Sequence, residues 1–221
     1  MCGRSKLIAP FREIAALYRC EPTDLAPEPR YNIAPTQLQA VVRQGESGRH
    51  LARLRWGLVP AWAESTKIGA RMINARAEDV EKKPAFARAF KKRRCLVVID
   101  GFYEWRTVGG AKAPFLFHMP AHKPFALAGL WENWTSPDGE LVETCAVLTT
   151  DAKGPVAQFH TRMPVVLADA DVDAWLDPNA TEASALKPLL ASTPSADLIA
   201  QAVSTLVNSP RNDGPECLVP P

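Results

Sequence analysis

The chain has 221 residues, 47% apolar and 23% charged, with 26 Lys/Arg against 24 Asp/Glu and a net charge of +2. That length and apolar content support one folded domain over residues 1–221, with a sizeable core. The near balance of charge excludes a histone-like coat of positive charge, but leaves room for a local anion site because the charges are uneven. Nine Lys/Arg stand against three acidic residues from Arg71 to Arg94, and one Lys against six acidic residues from Pro164 to Ala200. The basic stretch reads either as a face for nucleic acid or as a solvated helix face.

In chain order, "MCGR" comes first. With Met1 removed, Cys2 would carry an α-amine and a thiol on adjacent carbons; otherwise it is simply one of five cysteines. "PFREIAALYRC" predicts a short helix over 10–20, with Pro10 at its first position and Phe11, Ile14, Ala15 and Leu17 on one side. "LQAVVR" and "LARLRWG" predict strands joined by a turn at "QGESG". "PAFARAFKKRR" predicts a second helix whose terminal basic residues complement its dipole. "RCLVVIDGFYEW" predicts a buried strand and a turn, and "APFLFHM", "FALAGLWENW" and "LVETCAVLTT" continue as strands. "DVDAWLD" and "TEASALKPLLA" predict helices capped by Asp171 and Thr181, and "VSTLV" a last strand. Strands that follow one another directly predict an α+β fold: mainly antiparallel, twisted sheets forming an open barrel-like core, flanked by short helices.

Cys2, Cys20, Cys95, Cys145 and Cys217 are odd in number and contain no CxxC pair. No apolar run approaches the roughly 18 residues of a membrane span, and no secretory h-region follows the start. The expectation is a cytoplasmic chain, nucleoid-associated when bound to DNA, without disulfides or membrane contact. His50, His118, His122 and His160 form no metal spacing with the cysteines, and Pro120 makes "HMPAH" a turn. No metal and no cofactor are expected.

Three polar stretches resist a core reading. In "RMINARAE", Asn74 is a poor strand former that reads either as a specific hydrogen-bonding residue or as a turn residue, with Arg71, Arg76 and Glu78 close by. In "DGFYEW", Glu104 lies between Tyr103 and Trp105; it is either a desolvated carboxyl suited to acid–base work or an edge-strand residue facing water. In "QFHTRMP", His160 near Arg162 reads as a neutral imidazole able to act as a base, or as a structural histidine.

"MCGR", "YNIAPTQ" from Tyr31, "WGLVPAW" from Trp56, "INARAE" from Ile73, "RRCLVVIDGFYEW" from Arg93, "HTRMPVVL" from His160 and "VNSPRNDGPECL" from Val207 occur in this order. Together they resemble the SRAP (SOS response-associated peptidase) family of abasic-site-processing proteins. The resemblance implies one α+β domain with a positively charged, sheet-lined groove that serves DNA repair. It implies binding of single-stranded DNA containing abasic sites; a monomer is expected, though nothing in the sequence speaks to oligomeric state. It further implies covalent attachment through Cys2, with possible lyase and (auto)peptidase activity. Cys2 matches the family nucleophile, and Asn74, Glu104 and His160 match its other catalytic positions. Arg4, Arg76, Trp105, Thr149 and Arg162 fall near its DNA-contacting positions. A cysteine peptidase and a non-covalent single-strand-binding module stand as the rival readings.

Overall fold

The computed structural model describes residues 2–21, 28–191 and 194–220. The strands and helices in order are β1 (Ser5–Leu7), α1 (Phe11–Tyr18), β2 (Arg30–Ile33), β3 (Leu38–Gln44), β4 (Arg49–Trp56) and β5 (Asn74–Arg76). They continue with α2 (Ala87–Lys92), β6 (Arg94–Ile99), β7 (Gly101–Val108), β8 (Ala111–His118), β9 (Phe125–Thr135) and β10 (Leu141–Asp151). The last are β11 (Arg162–Pro164), α3 (Val172–Leu176), α4 (Ala183–Ala191) and β12 (Ile199–Ala202). The class is α+β, as the direct succession of strands implies.

β3, β4, β10, β9 and β6 close on themselves into a barrel. Every pairing around it is antiparallel except the short parallel contact of β10 with β4. Closure leaves no edge among these five strands. β5 and β11 attach to β10. The remaining strands form a second sheet in the order β12-β8-β7-β1-β2. One continuous apolar core, including Val41, Leu54, Val97, Leu148, Phe102 and Phe117, joins the sheet to the barrel. Strand alternation divides β7 between two environments. Phe102 points into this core and stacks on Phe117 at 5.3 Å. Tyr103 points the other way, into a smaller cluster with Leu116, Val203, Val207 and Cys217.

Several local expectations shift. Pro10 is the extended N-cap of α1 rather than its first helical residue, and the buried stripe is Phe11, Ile14 and Tyr18; Leu17 is exposed. α2 is shorter than the charge pattern suggested, because Arg94 turns inward. Its guanidinium donates to the carbonyls of Phe90, Lys91, Trp175 and Asp177, satisfying orphan acceptors at the ends of α2 and α3. Asp171 makes no side-chain cap, and α4 begins at Ala183, so Glu182 rather than Thr181 flanks it. The final strand ends at Ala202, before the predicted "VSTLV", where Ser204 instead accepts from Leu206 N–H to start a 3-10 turn.

Between β4 and β5 the chain doubles back. Gly57 has φ 128, and a Cβ there would meet the Gly69 carbonyl oxygen at 2.5 Å. Only glycine permits both the dihedral and the approach. Leu58 N–H then donates to Met72 O (3.1 Å), which delivers Asn74 to β10.

Candidate functional site

β1 pairs antiparallel with β7, setting Ser5 opposite Phe102 and Lys6 opposite Gly101. Tyr103 N–H donates to Arg4 O (3.0 Å), so the Cys2–Arg4 segment runs back along Tyr103, Glu104 and Trp105. Glu104 shares the face of Phe102, toward the core, and is 4% exposed. The desolvated reading of Glu104 therefore describes it. Burial pushes its carboxyl up from the ordinary value, while the His160 charge is among the effects that oppose this. Cys2 is 1% exposed, and burial followed by the Glu104 charge pushes its thiol up to about 12.

β5 brings Asn74 from the barrel side. It pairs parallel with β10 at Val147, and its Nδ2 donates to the Cys2 carbonyl at 2.7 Å. Its Oδ1 is buried and receives no hydrogen bond among the described residues. Asn74 is thus a specific tether for the Cys2 carbonyl.

His160 arrives on a turn held by aromatic packing. Phe159 meets Phe115 at 4.7 Å and Phe117 at 5.0 Å, both edge-on. Such pairs add about 0.5–1.5 kcal/mol each beyond burial. Phe115 lies opposite Glu104 in the β7–β8 ladder, so the wedge brings the next residue, His160, toward Glu104. Arg162 N–H donates to His160 Nδ1 at 2.9 Å. Nδ1 is therefore an acceptor, and in the neutral ring the proton sits on Nε2.

The five residues matched to DNA contacts divide. Arg76 ends β5 with its side chain exposed. Trp105 is half-buried; its Nε1–H donates to Asn208 Oδ1 (2.6 Å), and the Arg4 guanidinium lies 5.7 Å from its ring centre. Arg4 itself donates to Asn32 Oδ1 (2.7 Å) and Val207 O (2.6 Å). Thr149 is buried, and its hydroxyl donates to Ala75 O at 3.3 Å. Arg162 is engaged by Glu78, Asp151 and Thr149. Asn32, Glu78 and Asn208 are the supporting residues that sequence reasoning did not assign; each falls inside a quoted motif, but their partners are remote in sequence. Among the described residues, no three His, Cys, Asp or Glu side chains converge as a metal site. No helix there is long and apolar enough to cross a membrane.

This arrangement puts a thiol, a buried carboxyl, an imidazole and a carboxamide at one seam between sheet and barrel. The family profile described as SOS response associated peptidase (SRAP) matches residues 1–210. The abasic site processing protein YoqW of Bacillus subtilis (strain 168) is 39% identical over 224 residues, covering 99% of each chain. The abasic site processing protein HMCES of Gallus gallus is 34% identical, covering 79% of this chain and 58% of that protein. Among solved structures, a Bacteroides thetaiotaomicron protein superposes with a TM-score of 0.88 over 100% of both chains at 24% identity, a likeness of fold. A phage-related protein of Bordetella bronchiseptica superposes with a TM-score of 0.74 at 28% identity, covering 92% of this chain and 95% of that one.

Proposed function

Because the chain belongs to the SOS response associated peptidase (SRAP) family, we propose that it captures abasic sites in single-stranded DNA as a covalent adduct of Cys2. The carrying observation is that Cys2 is buried, tethered through its carbonyl to Asn74, and close enough to Glu104 for that carboxylate to push the thiol up.

An abasic deoxyribose interconverts between a closed hemiacetal and an open aldehyde. Opening moves a proton from the C1′ hydroxyl to the ring oxygen. Glu104, whose carboxyl burial raises above its ordinary value, can both give and take that proton. Capture then needs a neutral amine. An α-amine titrates at about 7.7–8.0 and a lysine at about 10.4, so roughly a fifth of α-amines are neutral near neutrality, against about one lysine in a thousand or fewer. With Met1 removed, the Cys2 amine adds to C1′, and loss of one water leaves an imine. The thiol then adds to the imine carbon and its proton passes to the nitrogen, closing a five-membered thiazolidine. Because that closure is intramolecular, it gains a large effective concentration. His160 relays protons at the imine stage, and Asn74 Oδ1 accepts from the amine or a sugar hydroxyl. Arg76 and Trp105 face the DNA, as phosphate contact and stacking platform, with Arg4 backing the Trp105 ring.

Intact mass spectrometry tests the proposal. Purified protein should lack Met1, and with an abasic single-stranded oligonucleotide it should gain the mass of that oligonucleotide less one water. Cys2→Ser keeps the amine and should give only a labile adduct. Retention of Met1, or dissociation of every adduct in denaturant, would remove the proposal.

A further inference from the structure

β7 carries a second charged group on the face that holds Glu104. Phe102, Glu104 and Arg106 alternate onto that face, and the strand emerges from the core as it runs outward: Glu104 is buried and Arg106 is exposed. The Arg106 guanidinium lies 5.3 Å from the ring centres of both Phe115 and Phe159. These rings form the wedge that precedes His160. Arg4, Arg43, Arg93 and Arg94 also lie against rings, but each donates to a protein acceptor as well: Val207 O, Glu143, Glu132 and Trp175 O respectively. Arg106 makes no hydrogen bond or ion pair among the described residues. Two rings therefore hold its side chain, while its five N–H groups remain for solvent or a ligand.

Its position gives this cation a use. Two residues along a strand span about 7 Å, so Arg106 stands one such step outward from Glu104, at the rim of the seam. A deoxyribose within a strand carries a phosphate on either side. Those charges must stay at the rim, because burying an unpaired anion is costly. A guanidinium binds phosphate through paired N–H groups, and one already laid on rings loses less side-chain freedom in doing so. We propose that Arg106 binds the backbone phosphate next to the abasic sugar, and so seats the strand against Glu104 and His160. The inference deepens the covalent-capture reading and rests on it for the presence of an abasic strand in the seam.

Anisotropy reads binding of a single-stranded oligonucleotide carrying a tetrahydrofuran in place of the abasic sugar, an analogue with no aldehyde to capture. Arg106→Met keeps apolar cover over the two rings but loses the charge. It should weaken binding about three- to tenfold and lower the slope of log affinity against log salt by about 0.7. One uncharged methylphosphonate is then placed at each phosphate around the lesion in turn. Next to the lesion it should bring wild type and Arg106→Met to within about twofold of each other, and elsewhere the full difference should remain. With an abasic oligonucleotide, the loss should fall on the half-saturating concentration for adduct formation rather than on the saturated rate. Unchanged binding by Arg106→Met, or a difference that survives the methylphosphonate at every position, would overturn the inference. A slower saturated rate at unchanged half-saturation would make Arg106 a brace for the Phe159 wedge and overturn it too. If the wild type binds the analogue but forms no adduct with abasic DNA, the capture reading fails and the methylphosphonate series still decides the phosphate contact. Failure of the wild type to bind the analogue would sink both.

Discussion

Asp100→Ala should bring the chain close to unfolding, because Asp100 anchors the strand that carries Cys2. Asp100 is fully buried between β6 and β7. It accepts the backbone N–H groups of Ile8 and Ala9 (3.1 Å to the latter) just beyond β1, and Lys6 Nζ lies 3.7 Å away at 1% exposure. Burial raises the Asp100 carboxyl and lowers the Lys6 amine, so for both groups desolvation outweighs their mutual attraction. Alanine would leave two donors and one ammonium without a partner. Each stranded buried donor costs about 1–3 kcal/mol, and breaking a buried ion pair from one side costs about 3–5 kcal/mol. These figures describe overlapping groups, so we expect about 3–5 kcal/mol in all, out of about 5–15 kcal/mol for a typical domain. Lys6→Met should cost less, since Asp100 keeps both backbone donors and the burdensome cation is gone. Urea unfolding measures both, with an unchanged slope expected. A loss below about 1 kcal/mol for Asp100→Ala, or an equal loss for Lys6→Met, would refute the reasoning.

Other substitutions probe the site directly. Glu104→Gln should slow adduct formation at least about tenfold. The same variant should melt higher than wild type at pH ~8 but not at pH ~4. Burial raises the folded carboxyl above its ordinary 4.5, so the folded state holds a proton that the unfolded state releases and wild-type stability falls as pH rises through that window. A wild-type advantage at the higher pH would contradict the burial argument. Trp105→Ala should weaken binding of an undamaged single-stranded oligonucleotide by the equivalent of about 1–3 kcal/mol, read by anisotropy. Trp105→Phe should retain most of that binding, and equal losses for the two would show that the Asn208 hydrogen bond, not stacking, matters.

The strands were legible because their signals are local. Alternation and β-branched runs marked β3, β4, β6, β9 and β10, and "QGESG" marked the turn between two of them. Barrel closure was not, since the β10–β4 contact is two residue pairs long and joins segments about ninety positions apart. Helix ends were misread where tertiary demands took over, as when Arg94 left the helix face to satisfy four carbonyls. At the site, residue types announced chemistry but not its direction. Glu104 could be read either way until the Phe102 face was known to be the buried one. Arg162 donates to Glu78, and nothing near Glu78 in the sequence points to a partner 84 positions on.

Burial of the nucleophile also argues for an order of events in the proposed capture. A thiol held at about 12 is almost wholly protonated near neutrality and is a poor opening nucleophile. The α-amine of a processed Cys2 is neutral in roughly a fifth of molecules under the same conditions, so it reaches the aldehyde first. The imine that forms is then attacked at short range by a thiol whose proton leaves as the bond is made, with Glu104 beside it to receive that proton. The same burial shields the sulfur from oxidation, because oxidants select exposed thiolates. A cysteine that waits as a thiol and acts second is therefore what a seam between sheet and barrel supplies, and an exposed N-terminal cysteine would lack both the protection and the order.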